Sequence, residues 1–275
     1  MIKKILLYFL CLSLFLSIPG CKKKLPTQPD IPLVTMKSIT ITSSSAILYI
    51  GTTERFTAMA TMSDGSTKSV LGGVWSTDNP SVATVGSGTG QVTIVGSGMV
   101  NIFVDYEGKQ GSKAIRGLPN YQGTWTGTYS IDSCDATGDF FATGFCDLFP
   151  SGTVAPTDLV LTQIEDQVTG RLYLGTLSAD AIGPVQTNGQ LTLTGKVEGD
   201  ITIDAVYQLQ STTPGQITGG LIQLWQGFGA GMSGQAMLTC TVISLERTST
   251  MTMAPIPPRR LTLTLQDLLR ALLRR

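Results

Sequence analysis

The segment Val74-Trp75-Ser76-Thr77-Asp78-Asn79-Pro80-Ser81-Val82-Ala83-Thr84-Val85 follows Asp64-Gly65-Ser66-Thr67 and precedes Gly90-Gln91-Val92-Thr93. Asp-Gly is a strong hairpin-turn signal because both residue types tolerate positive φ. Asn79-Pro80 interrupts the extended chain, since proline offers no N–H to a strand ladder. Trp75 is a large apolar body on an expected central strand, suited to filling the space between two sheets, and Val82 and Val85 return to the same core. Working outward, Ser38–Thr42, Ala46–Ile50 and Arg55–Thr61 alternate polar and apolar residues, with Phe56, Ala58 and Ala60 on one face. Val92–Val95 and the Val100, Ile102, Val104 alternation continue the pattern. About seven short strands between turn signals predict a β-sandwich over residues 35–117.

Those residues resemble the bacterial Ig-like domain of group 2. The likeness runs from the Asp64-Gly65 turn through Trp75 and Ser81-Val82-Ala83-Thr84-Val85 to Gly90, Gly98 and the strand through Ile102. It implies an exported spacer or adhesive module without catalytic residues, in which Trp75 is a core anchor.

A second domain is expected over residues 121–248, after a short linker at Gly117-Leu118-Pro119-Asn120. Its opening strand is Gly123–Ile131. Later strands are joined at Glu165-Asp166-Gln167, Asn188-Gly189, Gly199-Asp200 and Ser233-Gly234. About eight consecutive antiparallel strands predict an up-and-down meander, which removes its exposed edges by closing into a barrel. A second open sandwich is the alternative. The fold class is therefore all-β, an Ig-like sandwich followed by an antiparallel barrel. The Gly123-x-Trp125 opening and Arg247 in the last strand loosely resemble calycin barrels. An eight-stranded barrel is either filled or holds one small ligand. Trp125, Tyr129, Tyr173, Tyr207 and Trp225 are the candidate ligand-facing aromatics, with core filling as the competing role.

The chain opens with Met1-Ile2-Lys3-Lys4, an apolar run from Ile5 to Ser17, and Ile18-Pro19-Gly20-Cys21. A basic start, a short apolar core and a small residue before a cut are the marks of an export signal. The apolar run is short of the roughly 20 residues that span a bilayer. Ile18 and Gly20 before Cys21 resemble a lipobox, although Pro19 stands where a small or hydroxyl residue is usual. The resemblance implies a signal peptide at 1–20, a lipid on Cys21 and a tether over 21–34. Lys22, in place of an acidic residue, implies transport to the outer membrane where the organism has one.

Cysteine arithmetic fits an oxidising compartment. Cys134, Cys146 and Cys240 remain downstream, so at most one intrachain bridge forms. Cys134–Cys146 is the expected pair, closing a loop of about a dozen residues, and Cys134–Cys240 is the rival. The chain contains no histidine, which removes Ser-His-Asp and Cys-His sites; without histidine or a C-x-x-C pair, no zinc site is expected. Asp132, Asp135, Asp139 and Asp147 gather around the cysteine loop, but their spacing fits no calcium loop, and a solvated loop is favoured. Gly229-Ala230-Gly231-Met232-Ser233-Gly234 matches G-x-G-x-x-G in letters, yet a strand follows it, and the dinucleotide fingerprint needs a helix there. No cofactor, metal or catalytic residue is expected.

Between Ile31 and Pro258 there are nine basic and seventeen acidic residues. An acidic body argues against nucleic-acid binding. After a linker at 249–260, Leu265, Leu268, Leu269 and Leu272 recur at one helical face within 261–275. Such a short helix is marginal alone and needs a partner; an unstructured tail without a role is the alternative. The expected function is a non-enzymatic, lipid-anchored envelope protein displaying a β binding module toward a surface protein or carbohydrate. The alternatives are a carrier of a small apolar ligand and a hydrolase working with carboxylates only.

Overall fold

In the computed structural model, the described residues are 33–175, 177–227 and 233–249. The signal segment, Cys21, most of the tether, the 250–260 linker, the 261–275 tail and most of the Gly229–Gly234 stretch lie outside them. The strands are β1 (Met36–Thr42), β2 (Ile47–Tyr49), β3 (Thr53–Arg55), β4 (Thr57–Met62), β5 (Thr67–Ser69), β6 (Val74–Thr77), β7 (Ala83–Val85), β8 (Gln91–Ile94), β9 (Gly98–Tyr106) and β10 (Lys109–Leu118) in the sandwich. The barrel comprises β11 (Gly123–Ala136), β12 (Val154–Ile164), β13 (Gln167–Leu174), β14 (Leu177–Pro184), β15 (Leu191–Val197), β16 (Ile201–Thr213), β17 (Gln216–Gly227) and β18 (Gln235–Ser249).

The Ig-like part has ten strands among the described residues, in three sheets ordered β1-β4-β5, β2-β10-β9-β6 and β3-β8-β7. Two sheets of about seven strands was too coarse an expectation. Phe56 divides one expected strand in two because it turns into the core, 1% exposed, and its N–H bonds to the Gly90 carbonyl. Two strands are missing from the sequence reading, the three-residue β5 and the long β10, whose Lys109-Gln110-Gly111-Ser112-Lys113 stretch has no apolar alternation. The place of β10 is set by the hairpin turn before it. Glu107 (φ 47°) and Gly108 (φ 75°) both have positive φ, the pattern of a primed hairpin turn. β10 then pairs with β9 from Lys109↔Tyr106 onward. Trp75 is a core residue, 7% exposed, among Ile41, Phe56, Val92, Ile102 and Val104, but its strand β6 is the edge of its sheet and not the central strand expected; the large side chain reaches the core from there.

From Gly123 the chain forms a closed, eight-stranded, antiparallel barrel in sequence order, sealed where β18 returns to β11. Alternation explains which face is which. In β12 the inward positions are Thr157, Leu159, Leu161 and Gln163, and all four are buried. In β16 they are Ile203, Ala205, Tyr207 and Leu209. Sandwich and barrel belong to one compact unit.

Strand glycines let these walls bend. A Cβ on Gly183 would lie 1.7 Å from the Thr192 carbonyl oxygen, and one on Gly170 would lie 2.0 Å from that of Val160. Glycine inside a strand commonly marks such a close backbone approach. Replacing Gly183 by alanine must push β14 and β15 apart, where regular pairing is already limited to Ala181↔Gly195 and Ile182↔Thr194. The Gly183→Ala protein is expected to lose about 1–3 kcal/mol of stability, the usual cost of overpacking. Urea unfolding followed by circular dichroism measures it, and an unmoved midpoint would refute the crowding.

Candidate functional site

The barrel has two ends. Strand directions place the start of β11, the β12–β13 turn, the β14–β15 loop and the β16–β17 turn at the end that meets the sandwich. The residues between β11 and β12 cap the other.

The sandwich end is a buried joint. Gly117 and Leu118, expected as linker, are the last residues of β10 and pair in parallel with β2 at Leu48 and Tyr49. Leu118 is fully buried and packs in the barrel core, against which Ile47 and Tyr49 also lie. The linker reading fails because Leu118 finds apolar partners on the barrel side. Gln163 ties the crossing together. Its Oε1 accepts the Tyr121 N–H at 2.6 Å, and its Nε2 donates to the carbonyls of Pro119 (3.2 Å) and Glu165 (2.9 Å). The Tyr121 hydroxyl donates to the Gly189 carbonyl at 2.7 Å, and burial pushes its pKa up to about 12. Across the joint, the Tyr49 hydroxyl donates to the Glu165 carbonyl at 3.3 Å, and Arg116 pairs with Asp166 at 2.5 Å.

The hydrogen bond and charge from Arg116 hold the Asp166 carboxyl below its ordinary 3.8. A carboxylate with a depressed folded pKa stabilises the fold at pH values above its unfolded pKa. That contribution disappears as pH falls through the folded value. Wild type should therefore lose part of its joint stability below about pH 4, while Arg116→Ala should lack that component at neutral pH. Thermal unfolding of both proteins between neutral and acid pH measures this; identical pH profiles would remove Asp166 from the account. The effect is small, since the Asp166 side chain is 34% exposed and solvent screens such pairs.

The far end is plugged. A one-turn helix, α1 (Gly138–Ala142), and a 3-10 turn (Phe145–Leu148) carry Phe140 and Phe145 inward, 1% and 4% exposed. The Phe145 ring lies 5.4 Å from the Trp225 ring, and Phe149 lies 6.0 Å from it. Cys134 and Cys146 are bridged, with Cα atoms 5.5 Å apart, which fastens the plug to β11. Asp139 fastens it to the start of β18 by accepting the Ser233 N–H at 2.5 Å. Asp132 instead accepts the Thr241 hydroxyl at 2.8 Å. Among the described residues, no group of three or more acidic or cysteine side chains is arranged to hold a metal ion.

Beneath the plug, Gln223 is 1% exposed. It accepts the Trp225 indole N–H at 3.3 Å and hydrogen-bonds Tyr129, whose phenol is pushed up by burial. Cys240, the unbridged cysteine among the described residues, lies beside it. Burial raises its thiol pKa to about 12, so at neutral pH it is a protonated core side chain. Deeper still, the Thr157 and Tyr207 hydroxyls bond at 2.6 Å, and desolvation pushes the Tyr207 phenol up. Trp125 is 1% exposed, donates its indole N–H to the Tyr121 carbonyl at 2.7 Å and carries the Arg247 guanidinium 4.5 Å above its ring. Arg247 also donates to the Asn120 carbonyl.

Four of the five aromatic candidates, Trp125, Tyr129, Tyr207 and Trp225, therefore point inward as packed core. Tyr173 does not join them. It lies between the inward Leu172 and Leu174 of β13, so the pleat turns it to the outer face, where it is half-buried. Gln163, Tyr121 and the Arg116–Asp166 pair went unread in the sequence. The alternation of β12 places Gln163 on the same face as Leu159 and Leu161 and was the available signal; nothing local marked the ion pair.

No curated protein matches the chain. Residues 35–114, the sandwich up to the middle of β10, match the family model of the bacterial Ig-like domain, group 2.

Proposed function

We propose that this protein is a non-enzymatic, lipid-anchored component of the cell envelope, with the Ig-like sandwich as spacer or adhesive unit and the barrel as the displayed binding module. The observation that carries this reading is the filled barrel. The inward side chains Leu159, Leu161, Leu172, Leu191, Leu193 and Tyr207 have no exposed surface. A cavity wide enough for a ligand would leave its lining accessible to a water-sized sphere. Even under the plug, Tyr129 and Trp225 retain only 7% and 6% exposure. The barrel therefore meets partners with its outer surface. The buried joint supports the spacer role, because a barrel fixed to its sandwich is presented in one orientation. The stacking of Arg247 on Trp125 supports the likeness to calycin barrels, and Cys21 with its preceding residues supports the anchor. Lys22 favours the outer membrane. The barrel carries three basic and twelve acidic residues, which disfavours nucleic acid and favours a surface protein or carbohydrate.

Native mass spectrometry of the Cys21→Ser protein recovered from the periplasm is expected to give the bare polypeptide mass. A co-purifying small molecule would replace this reading with that of a carrier. Labelling with a radioactive fatty acid is expected to mark the wild type alone, and equal labelling of Cys21→Ser would overturn the anchor.

A further inference from the structure

The outer wall of the barrel carries an apolar strip set by register. Val206 on β16 pairs with Ile222 on β17, and Leu224 on β17 pairs with Met237 on β18. All four point outward, because their strand neighbours Ala205, Tyr207, Leu221, Gln223, Trp225, Ala236 and Leu238 are buried. Ile222 and Met237 are 40% and 41% exposed, and Val206 and Leu224 are half-buried. The strip is bordered by carboxylates. Asp204 is the register partner of Leu224, and Asp135 on β11 is the partner of Met237. Lys196, opposite Asp204, is the one cation on these two rows. An occupant suited to this surface is amphipathic, with aliphatic side chains on one face and positive charge beside them.

Such a segment lies in the chain itself. Within Leu261–Arg275, Leu265, Leu268, Leu269 and Leu272 recur at helical spacing, accompanied by Arg270, Arg274 and Arg275 with Asp267 as the one acid. A helix of that length is marginal in water and forms when its apolar face is covered. The reach is sufficient. Ser249 ends β18, the strand that carries Met237 twelve residues earlier, a distance of ~40 Å at strand rise. Residues 250–264 can extend over ~50 Å. The opposite wall is less suited, because its exposed Ile164 and Ile182 face the polar Gln167 and Thr169 on β13.

We infer that Leu261–Arg275 packs as an amphipathic helix across the Val206, Ile222, Leu224 and Met237 strip of its own barrel, with its arginines beside Asp135 and Asp204. The helix covers these four outward side chains of the β16–β18 wall, and its tether makes the contact intramolecular. The attachment concentrates the segment at its site.

The test is photo-crosslinking in the full chain, with p-benzoylphenylalanine in place of Leu269. Illumination is expected to give links at monomer mass, mapped by mass spectrometry to Ile222, Leu224 or Met237. The double change Asp135→Lys with Asp204→Lys leaves the core untouched and is expected to cut the yield about tenfold, as lost charge complementarity would. Its unfolding midpoint serves as a check that the barrel persists. Links at dimer mass would assign the strip to a second copy. Links to Ile164 or Ile182, yields indifferent to the charge reversal, or label recovered only in the lipid of added anionic vesicles would each overturn the proposal.

Discussion

Replacing Trp125 by alanine is expected to destabilise the barrel by about 3–5 kcal/mol, the range for removing a buried large aromatic side chain. Three losses coincide at this position. The ring fills the core where β11 begins, 1% exposed. Its indole N–H leaves the Tyr121 carbonyl, 2.7 Å away, without that donor. The Arg247 guanidinium loses the ring 4.5 Å below it, and a partly buried cation without its aromatic partner is costly. The damage should reach the joint, since Tyr121 also bonds Gln163 and Gly189. Trp125→Phe separates these contributions. It keeps most of the ring but loses the hydrogen bond, and should cost about 1–3 kcal/mol because a buried acceptor is left unpaired. Urea unfolding of both variants measures the difference, and a loss under 1 kcal/mol for Trp125→Ala would show that the site collapses without penalty.

The second large effect belongs to the plug. Serine at both Cys134 and Cys146 is expected to cost about 3 kcal/mol in the chain-entropy account of a loop of this length. The loss should be local before it is global, because the bridge holds a short segment whose other ties include the Asp139–Ser233 bonds and the contacts of Phe145 and Phe149 with Trp225. Two readouts separate plug release from general unfolding. Trp225 fluorescence should shift toward that of a hydrated indole below the unfolding midpoint. The Cys240 thiol, 2% exposed in the bridged protein, should become alkylatable in the same range. Unchanged protection of Cys240 at reduced overall stability would mean that the phenylalanines alone keep the mouth shut.

These expectations rest unequally on sequence and on structure. Local alternation in β12 and β16 coincides with their inward faces, because a half-buried strand has a period of two residues, although the sequence reading assigned no faces there. Turn chemistry marked the hairpins at Glu165-Asp166 and Asn188-Gly189. Cysteine spacing marked the Cys134–Cys146 bridge, because the cysteine loop is short enough to close upon itself. β10 was hidden because its first half is polar and is held by pairing with β9. The joint was hidden for a different reason. Gly117-Leu118-Pro119-Asn120 has the composition of a linker, and composition does not reveal that Leu118 meets a second core.

The sequence by itself determined an all-β chain, the Ig-like pattern within residues 35–117, the number of barrel strands and the chemistry available to them, since each follows from contacts between residues near in the chain. The tertiary structure decided whether the barrel is filled, which way Tyr173 points, and that Arg116 meets Asp166. Those outcomes depend on closure. Only when β18 returns to β11 do inward side chains from eight strands compete for one interior, and the volume left there is a property of all of them together.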